Sequence, residues 1–95
     1  MQMCKEVKLF FSEDGKLIGE TEYADGKRNG YSKLWNNQGK MILHANYQNG
    51  ILHGTYQSWW KNGNMKEKGE YINGEKSGNY LWFKESGELL NKQSF

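Results

Sequence analysis

The same set of markers recurs every 24 residues along this chain, four times, without an insertion or a deletion. An aromatic stands at Phe11, Trp35, Trp59 and Phe83, a glycine four residues later at Gly15, Gly39, Gly63 and Gly87, and a second aromatic at Tyr23, Tyr47, Tyr71 and Phe95. Further glycines close the units at Gly26, Gly50 and Gly74 and at Gly30, Gly54 and Gly78, so that of the twelve glycines only Gly19 and Gly69 fall off the frame. A fixed period of this length means a stack of one supersecondary unit that cannot bury its apolar side chains alone. Residues 1–95 therefore read as a single small repeat domain with a modest core.

The apolar fraction is only 36% while aromatics reach 15%, so a few large rings must supply much of the burial. Proline is absent, as suits a sheet in which nearly every backbone donor is used. Cys4 is the one cysteine and implies a reducing compartment. The stretch from Met1 to Phe11 carries Lys5, Glu6 and Lys8 and no apolar run, so the expected location is cytoplasmic, without a leader or a membrane span.

Two kinds of turn follow from the glycines. Around Lys61, Asn62 and Gly63 a three-residue hairpin loop would pair Trp59 with Met65, with glycine in a left-handed position. The second turn, Asn73 to Gly78, is expected to be longer. Each unit is then two antiparallel strands, and the chain an all-β meander of about eight strands. An open, single-layer twisted sheet is expected, with a closed eight-strand barrel as the alternative.

Period-two alternation assigns a packed face. From alternate strands it collects Val7, Leu9, Phe11, Tyr31, Trp35, Trp59, Leu81 and Phe83. The strands that pair with them add Leu17, Tyr23, Met41, Leu43, Tyr47, Met65, Tyr71, Leu89 and Phe95. On the other face the same register sets Phe10 opposite Ile18, Leu34 opposite Ile42, Ser58 opposite Lys66 and Trp82 opposite Leu90.

The strings Tyr47-Gln48-Asn49-Gly50-Ile51-Leu52-His53-Gly54 and Tyr71-Ile72-Asn73-Gly74-Glu75-Lys76-Ser77-Gly78, each leading into an aromatic and then a glycine turn, resemble MORN repeats. More narrowly they resemble the bacterial MORN variant of the YwqK-type antitoxin group. The likeness runs from about Leu9 to Phe95. It implies a scaffold, a membrane-associated module or an antitoxin, and it speaks to fold more than to function.

Departures from the frame point to a use beyond stacking. Trp60 stands where the other units have Ser12, Asn36 and Lys84, and Ile51 and Leu52 where they have Lys27 and Arg28 or Glu75 and Lys76. Tyr56, Tyr80 and Trp82 share a face with Trp60. Exposed together, these rings would form a binding surface with a few anchors, unless that face is covered within the chain or by a homodimer. Trp60 is expected to be dispensable for the fold and Trp59 essential to it.

Between Lys27 and Lys66 there is no acidic residue, while Lys27, Arg28, Lys33, Lys40, Lys61 and Lys66 are all positive. Arg28, Lys33, Lys61 and Lys66 would steer a partner with an acidic surface. These charges are too dispersed for a dedicated nucleic-acid binder, which leaves single-stranded nucleic acid a minor alternative.

Catalysis has little to draw on. Asp14 and Asp25 precede turn glycines, while His44, His53 and Cys4 lack zinc-ligand spacing, and the glycines form no phosphate loop. The expected protein is a non-catalytic protein-binding module needing no cofactor or metal. Its most concrete form is an antitoxin, immunity protein or small inhibitor that masks a cytosolic toxin or effector, and the alternative is a structural or membrane-associated scaffold.

Overall fold

Two-residue turns reverse the chain at one end of the sheet. Asp25-Gly26, Asn49-Gly50 and Asn73-Gly74 have successive φ values of 50° and 80°, 50° and 84°, and 50° and 84°, the double positive φ of a type I′ hairpin turn, whose twist matches that of the flanking strands. The longer turn expected over Asn73 to Gly78 is therefore confined to Asn73-Gly74. At the opposite end the three-residue loop forms as expected. The Trp60 N–H donates to the Asn64 carbonyl at 2.7 Å and the Gly63 N–H to the Trp60 carbonyl at 2.9 Å, a pattern repeated at Ser12, Asn36 and Lys84.

The computed structural model describes residues 4–95. Its strands are β1 (Lys5–Phe11), β2 (Leu17–Ala24), β3 (Lys27–Trp35), β4 (Met41–Gln48), β5 (Ile51–Leu52), β6 (Gly54–Trp59), β7 (Met65–Ile72), β8 (Glu75–Phe83) and β9 (Leu89–Ser94). They form one antiparallel sheet in the order β1-β2-β3-β4-β6-β7-β8-β9, with β5 paired to β4. β5 and β6 together fill the place that β3 and β8 fill in their units. The strand breaks at His53, whose N–H donates to the Asn46 carbonyl at 2.9 Å, while Asn46 Nδ2 donates to the Thr55 carbonyl at 3.0 Å.

β1 and β9 are the two edges and do not pair with each other, which excludes the barrel. The molecule measures 46 × 37 × 12 Å, a single layer. Its accessible surface of 6522 Å² exceeds the roughly 5,700 Å² of a globular chain of equal mass, as expected of a single layer.

Every glycine-loop hairpin carries a one-residue bulge, which changes the face assignment. Phe11 pairs with Leu17, Trp35 with Met41, Trp59 with Met65 and Phe83 with Leu89, but the next pairs are Phe10 with Gly19, Leu34 with Leu43, Ser58 with Glu67 and Trp82 with Asn91. Ile18, Ile42, Lys66 and Leu90 are the extra residues, so the pairs expected for them do not form. One extra residue shifts the alternation of the whole returning strand.

One face, face A, carries Leu9, Glu20, Lys33, His44, Gln57, Lys68, Leu81 and Lys92 in a row, flanked by the frame aromatics Phe11, Trp35, Trp59 and Phe83. The other, face B, carries Lys8, Thr21, Ser32, Ala45, Tyr56, Gly69, Tyr80 and Gln93. Tyr23, Leu43, Tyr47, Tyr71 and Phe95, expected beside Trp59, lie instead on face B. Tyr71 meets Tyr56 at 5.4 Å between ring centroids, and Phe95 meets Tyr80 at 6.4 Å.

Burial follows face B as well, with Ala24 at the end of β2 the exception. Thr21, Ser32, Ala45, Ser58 and Tyr80 are buried, whereas Val7, Leu9, Phe11, Leu17 and Leu89 of the expected packed face are exposed, Phe11 at 57%. Thr21 and Ser32 share a buried hydroxyl hydrogen bond of 2.8 Å. Among the described residues Tyr80 is the one large side chain with 0% exposure. It is enclosed by Tyr71 at 5.9 Å and Trp82 at 4.7 Å, and its ring lies directly on the backbone of Gly69, where any Cβ would collide with it. Gly19 plays a milder version of this part, with Phe10 and Leu34 at 3.1 and 3.2 Å from where a Cβ would stand. The two off-frame glycines are thus the floor beneath large face-B side chains.

The Tyr80 hydroxyl is buried without a hydrogen-bond partner among the described residues, and burial, the largest cause, pushes its phenol far above the ordinary tyrosine range. Gly69→Ala is expected to destabilise the fold by about 1–3 kcal/mol through overpacking, and Tyr80→Phe to be neutral or stabilising because it removes an unpaired polar group, both read from urea midpoints. A raised folded-state pKa contributes stability that is complete below the unfolded value of about 10 and is lost as pH rises beyond it toward the folded value. Tyr80→Phe should therefore lose less stability than the parent between neutral pH and pH of about 11.

Candidate partner-binding surface

Where β4 meets β6 and β7 on face B, small and aliphatic side chains leave an open depression of about 410 Å³. Leu34, Leu43 and Ser58 line it together with Tyr56, Trp60, Lys61, Lys66 and Glu67. Tyr56 and Trp60 arrive there because β6 alternates, and Ser58 between them is buried. Glu67 is bound on both oxygens. Trp82 Nε1–H donates to Oε1 at 3.1 Å and the Ser58 hydroxyl to Oε2 at 3.3 Å. Burial and then the charge of Glu67 raise the Tyr56 phenol above its ordinary pKa.

Trp60 is more than an ornament of this rim. Its Nε1–H donates to the Phe83 carbonyl at 3.1 Å, and Asn62 and Asn64 each donate through Nδ2 to the Glu85 carbonyl at 2.7 Å. The third hairpin loop is thereby tied to the fourth. Lys66 Nζ stands 4.7 Å from the Trp60 ring centre. This tie speaks against the expectation that Trp60 is dispensable for the fold, because an indole N–H reaches a neighbouring carbonyl where serine, asparagine or lysine stands in the other units.

The structure separates the expected site residues. Trp60, Tyr56, Lys61 and Lys66 gather at the depression, and Trp82 adjoins it through Glu67. Tyr80 shares the face but is completely buried, so it supports Tyr71 and Trp82 and cannot itself contact a partner. Ile51 and Leu52 form β5 at the I′-turn end; Ile51 is exposed, and Leu52 pairs with Tyr47. Arg28 is also at that end, its Nη1 donating to Tyr47 Oη at 3.2 Å, which keeps its pKa raised. Lys33 lies on face A, 4.7 Å from the ring centre of Tyr31, whose hydroxyl donates to Glu20 at 2.7 Å. The acid-free window in sequence is therefore not one patch, because alternation sends Ser32 into face B and Lys33 to the opposite side.

Residues that sequence reasoning passed over also stand on face B. Lys8 is 4.5 Å from the centre of the Tyr23 ring, and Lys76 is 5.6 Å from that of Tyr71. Their signal was available as cations placed next to the frame tyrosines, once the bulge is counted. His53 has a structural part, its Nδ1 accepting the Asn73 N–H at 3.3 Å, as Asn29 Oδ1 accepts that of Asn49 at 3.0 Å one unit earlier.

A single-layer meander of 24-residue hairpins defines a β-repeat protein. Residues 7–25 and 52–73 match the MORN repeat variant family, each match spanning one hairpin of the first and third units. No curated protein and no solved structure matches the chain.

Trp60→Ala is expected to lower stability by about 1–3 kcal/mol, from a lost part-buried hydrogen bond and ring contacts. Urea denaturation of Trp60→Ala beside Lys61→Ala, which is expected to change stability by less than about 0.5 kcal/mol, checks this.

Proposed function

We propose that this chain is a non-catalytic protein-binding module that engages its partner with face B around Trp60. The carrying observation is the depression framed by Tyr56 and Trp60, rings that the repeat does not require, with Lys61 and Lys66 at its rim. Half-buried aromatics held by packing are suitable anchors, since they lose little freedom on binding, and centrally placed rings dominate interfaces. The chemistry on offer is apolar contact and positive charge, which suits recognition. The finer reading is an antitoxin, immunity protein or small inhibitor that masks a cytosolic toxin or effector, supported by the likeness of the Asn-Gly strings to that MORN variant group.

For a partner recovered with tagged protein, Tyr56→Ala is expected to weaken binding by about 2 kcal/mol, on the usual hot-spot scale. Trp60→Phe, which keeps a ring but loses the indole, should cost less. Calorimetry on variants with unchanged circular dichroism measures both. Full affinity in the Tyr56→Ala, Trp60→Phe double variant would place the interface elsewhere.

A second reading, a scaffold that associates through face A, is favoured by the exposure of Phe11, Leu17 and Leu89 there. Sedimentation velocity decides it. A dimer that dissociates on Phe11→Ser with Leu89→Ser would support self-association, and a monomeric parent chain would remove it.

A further inference from the structure

Among the described residues, six of the ten exposed large hydrophobic side chains lie on the two strands that end the sheet, Val7, Leu9, Phe10 and Phe11 on β1 and Leu89 and Leu90 on β9. Every residue of both strands is exposed, and no described strand pairs with the outer side of either. Edge strands are ordinarily blunted with charge, because their free N–H and C=O groups invite another chain to pair. Here the charges of β1, Lys5, Glu6 and Lys8, sit toward the I′-turn end, and its glycine-loop end is wholly apolar. One and two repeats further on, Lys33 and Gln57 stand in the place of Leu9, and Tyr31 and Thr55 in that of Val7. The strand with no outer neighbour is thus more apolar than its counterparts inside the sheet.

The junctions between units share one register. Gly19 pairs with Leu34, Leu43 with Ser58 and Glu67 with Trp82; beside them Glu20 pairs with Lys33, His44 with Gln57 and Lys68 with Leu81. Each pair is the preceding one moved on by 24 residues. A further step sets Asn91 opposite Phe10, and Lys92 opposite Leu9, of a second copy. We propose that β1 of one copy adds to β9 of another in this register, head to tail, so that the protein assembles into an open-ended ribbon.

The distribution of side chains selects this pairing. β1 ends at the glycine-loop side of the sheet and β9 begins there, so the two run antiparallel when the loops align, and Leu89 and Leu90 come against Phe10 and Phe11. Lys92, the one charge on β9, then faces Leu9, with Glu20 next in the same row. A two-fold pairing of β1 with β1, or of β9 with β9, over the full strand would set the apolar end of each against the polar end of the other. A head-to-tail junction leaves one free edge at each end of the assembly. A layer 12 Å thick adds copies in line, about 38 Å apiece for eight strands about 4.8 Å apart. Both faces stay open, so the assembly does not depend on the partner-binding surface.

Sedimentation velocity on two edge variants tests the proposal. Val7→Lys with Leu9→Lys blocks β1, and Leu90→Lys with Asn91→Lys blocks β9; circular dichroism of both should match that of the parent. The parent should form a series of sizes that grows with concentration. Each variant alone should stay monomeric where the parent associates, because every junction needs one edge of each kind. An equal mixture of the two should regain association and stop at the dimer, since it holds a single intact pair of edges. The two variants add the same positive charge, so attraction between them cannot supply the gain. A dimer stacked through face A would keep both lesions in the mixture and regain nothing.

Cross-linking reads the register without blocking either edge. In a Cys4→Ser background, Leu9→Cys chains mixed with Lys92→Cys chains and oxidised should give a heterodimer, and Leu9→Cys with Lys33→Cys should not. A monomeric parent, a variant that associates by itself, a mixture that stays monomeric, or equal cross-linking to positions 33 and 92 would each overturn the proposal.

Discussion

The ring of Tyr80 lying on the bare backbone of Gly69 states the problem that this fold has to solve. A one-layer sheet has no second layer to pack against, so apolar surface can be removed from water only by laying large side chains along the sheet itself. A glycine lowers the floor by the height of a side chain, and the neighbouring ring settles into the gap, met edge-on by Tyr71 and Phe95 and at a tilt by Trp82. In the first two units, where no such ring is present, the equivalent row is filled by Thr21, Ser32 and Ala45. Small side chains there are covered by the larger neighbours on either side, and the hydroxyls satisfy one another.

The hairpin bulge is the second constraint, and it decides which side chains share a face. By inserting one residue into each returning strand it turns Tyr23, Tyr47 and Tyr71 over to the face that already holds Tyr56 and Tyr80. Aromatic side chains and the cations that sit on them are then concentrated on face B, while face A keeps a stripe of frame rings and a mixed row of charges. Without the bulges the aromatics would divide differently between the faces.

Links between neighbouring units hold the sheet at its two ends. At the I′-turn end, the N–H of Asn49 and that of Asn73 are each accepted by a side chain of the preceding unit, Asn29 and His53. At the other end Trp60, Asn62 and Asn64 reach the carbonyls of the fourth hairpin. These are local, nearest-neighbour ties of the kind that make a repeat array a sum of units and interfaces. They explain how a tryptophan that departs from the repeat comes to tie two hairpins together.

Much of this was legible in the residues alone. The period, the hairpin character of each unit, the Trp59–Met65 pairing and the open all-β meander follow from glycine spacing and turn chemistry, because positive φ is a local property that an Asn-Gly or Lys-Asn-Gly string carries wherever it stands. The prominence of Trp60 and Tyr56 was also visible, as departures from a frame. The faces were not legible. Whether an extra residue enters a ladder depends on hydrogen bonds between strands, and a single insertion reverses every side chain beyond it, which is why Tyr23 and Tyr71 were assigned to the wrong side. Tyr80 was read as exposed because nothing in a linear string shows that Gly69 lies beneath its ring. Local chemistry thus determined the turns and the topology, and only the pairing of strands in three dimensions decided which side chains are buried and which charges stand together.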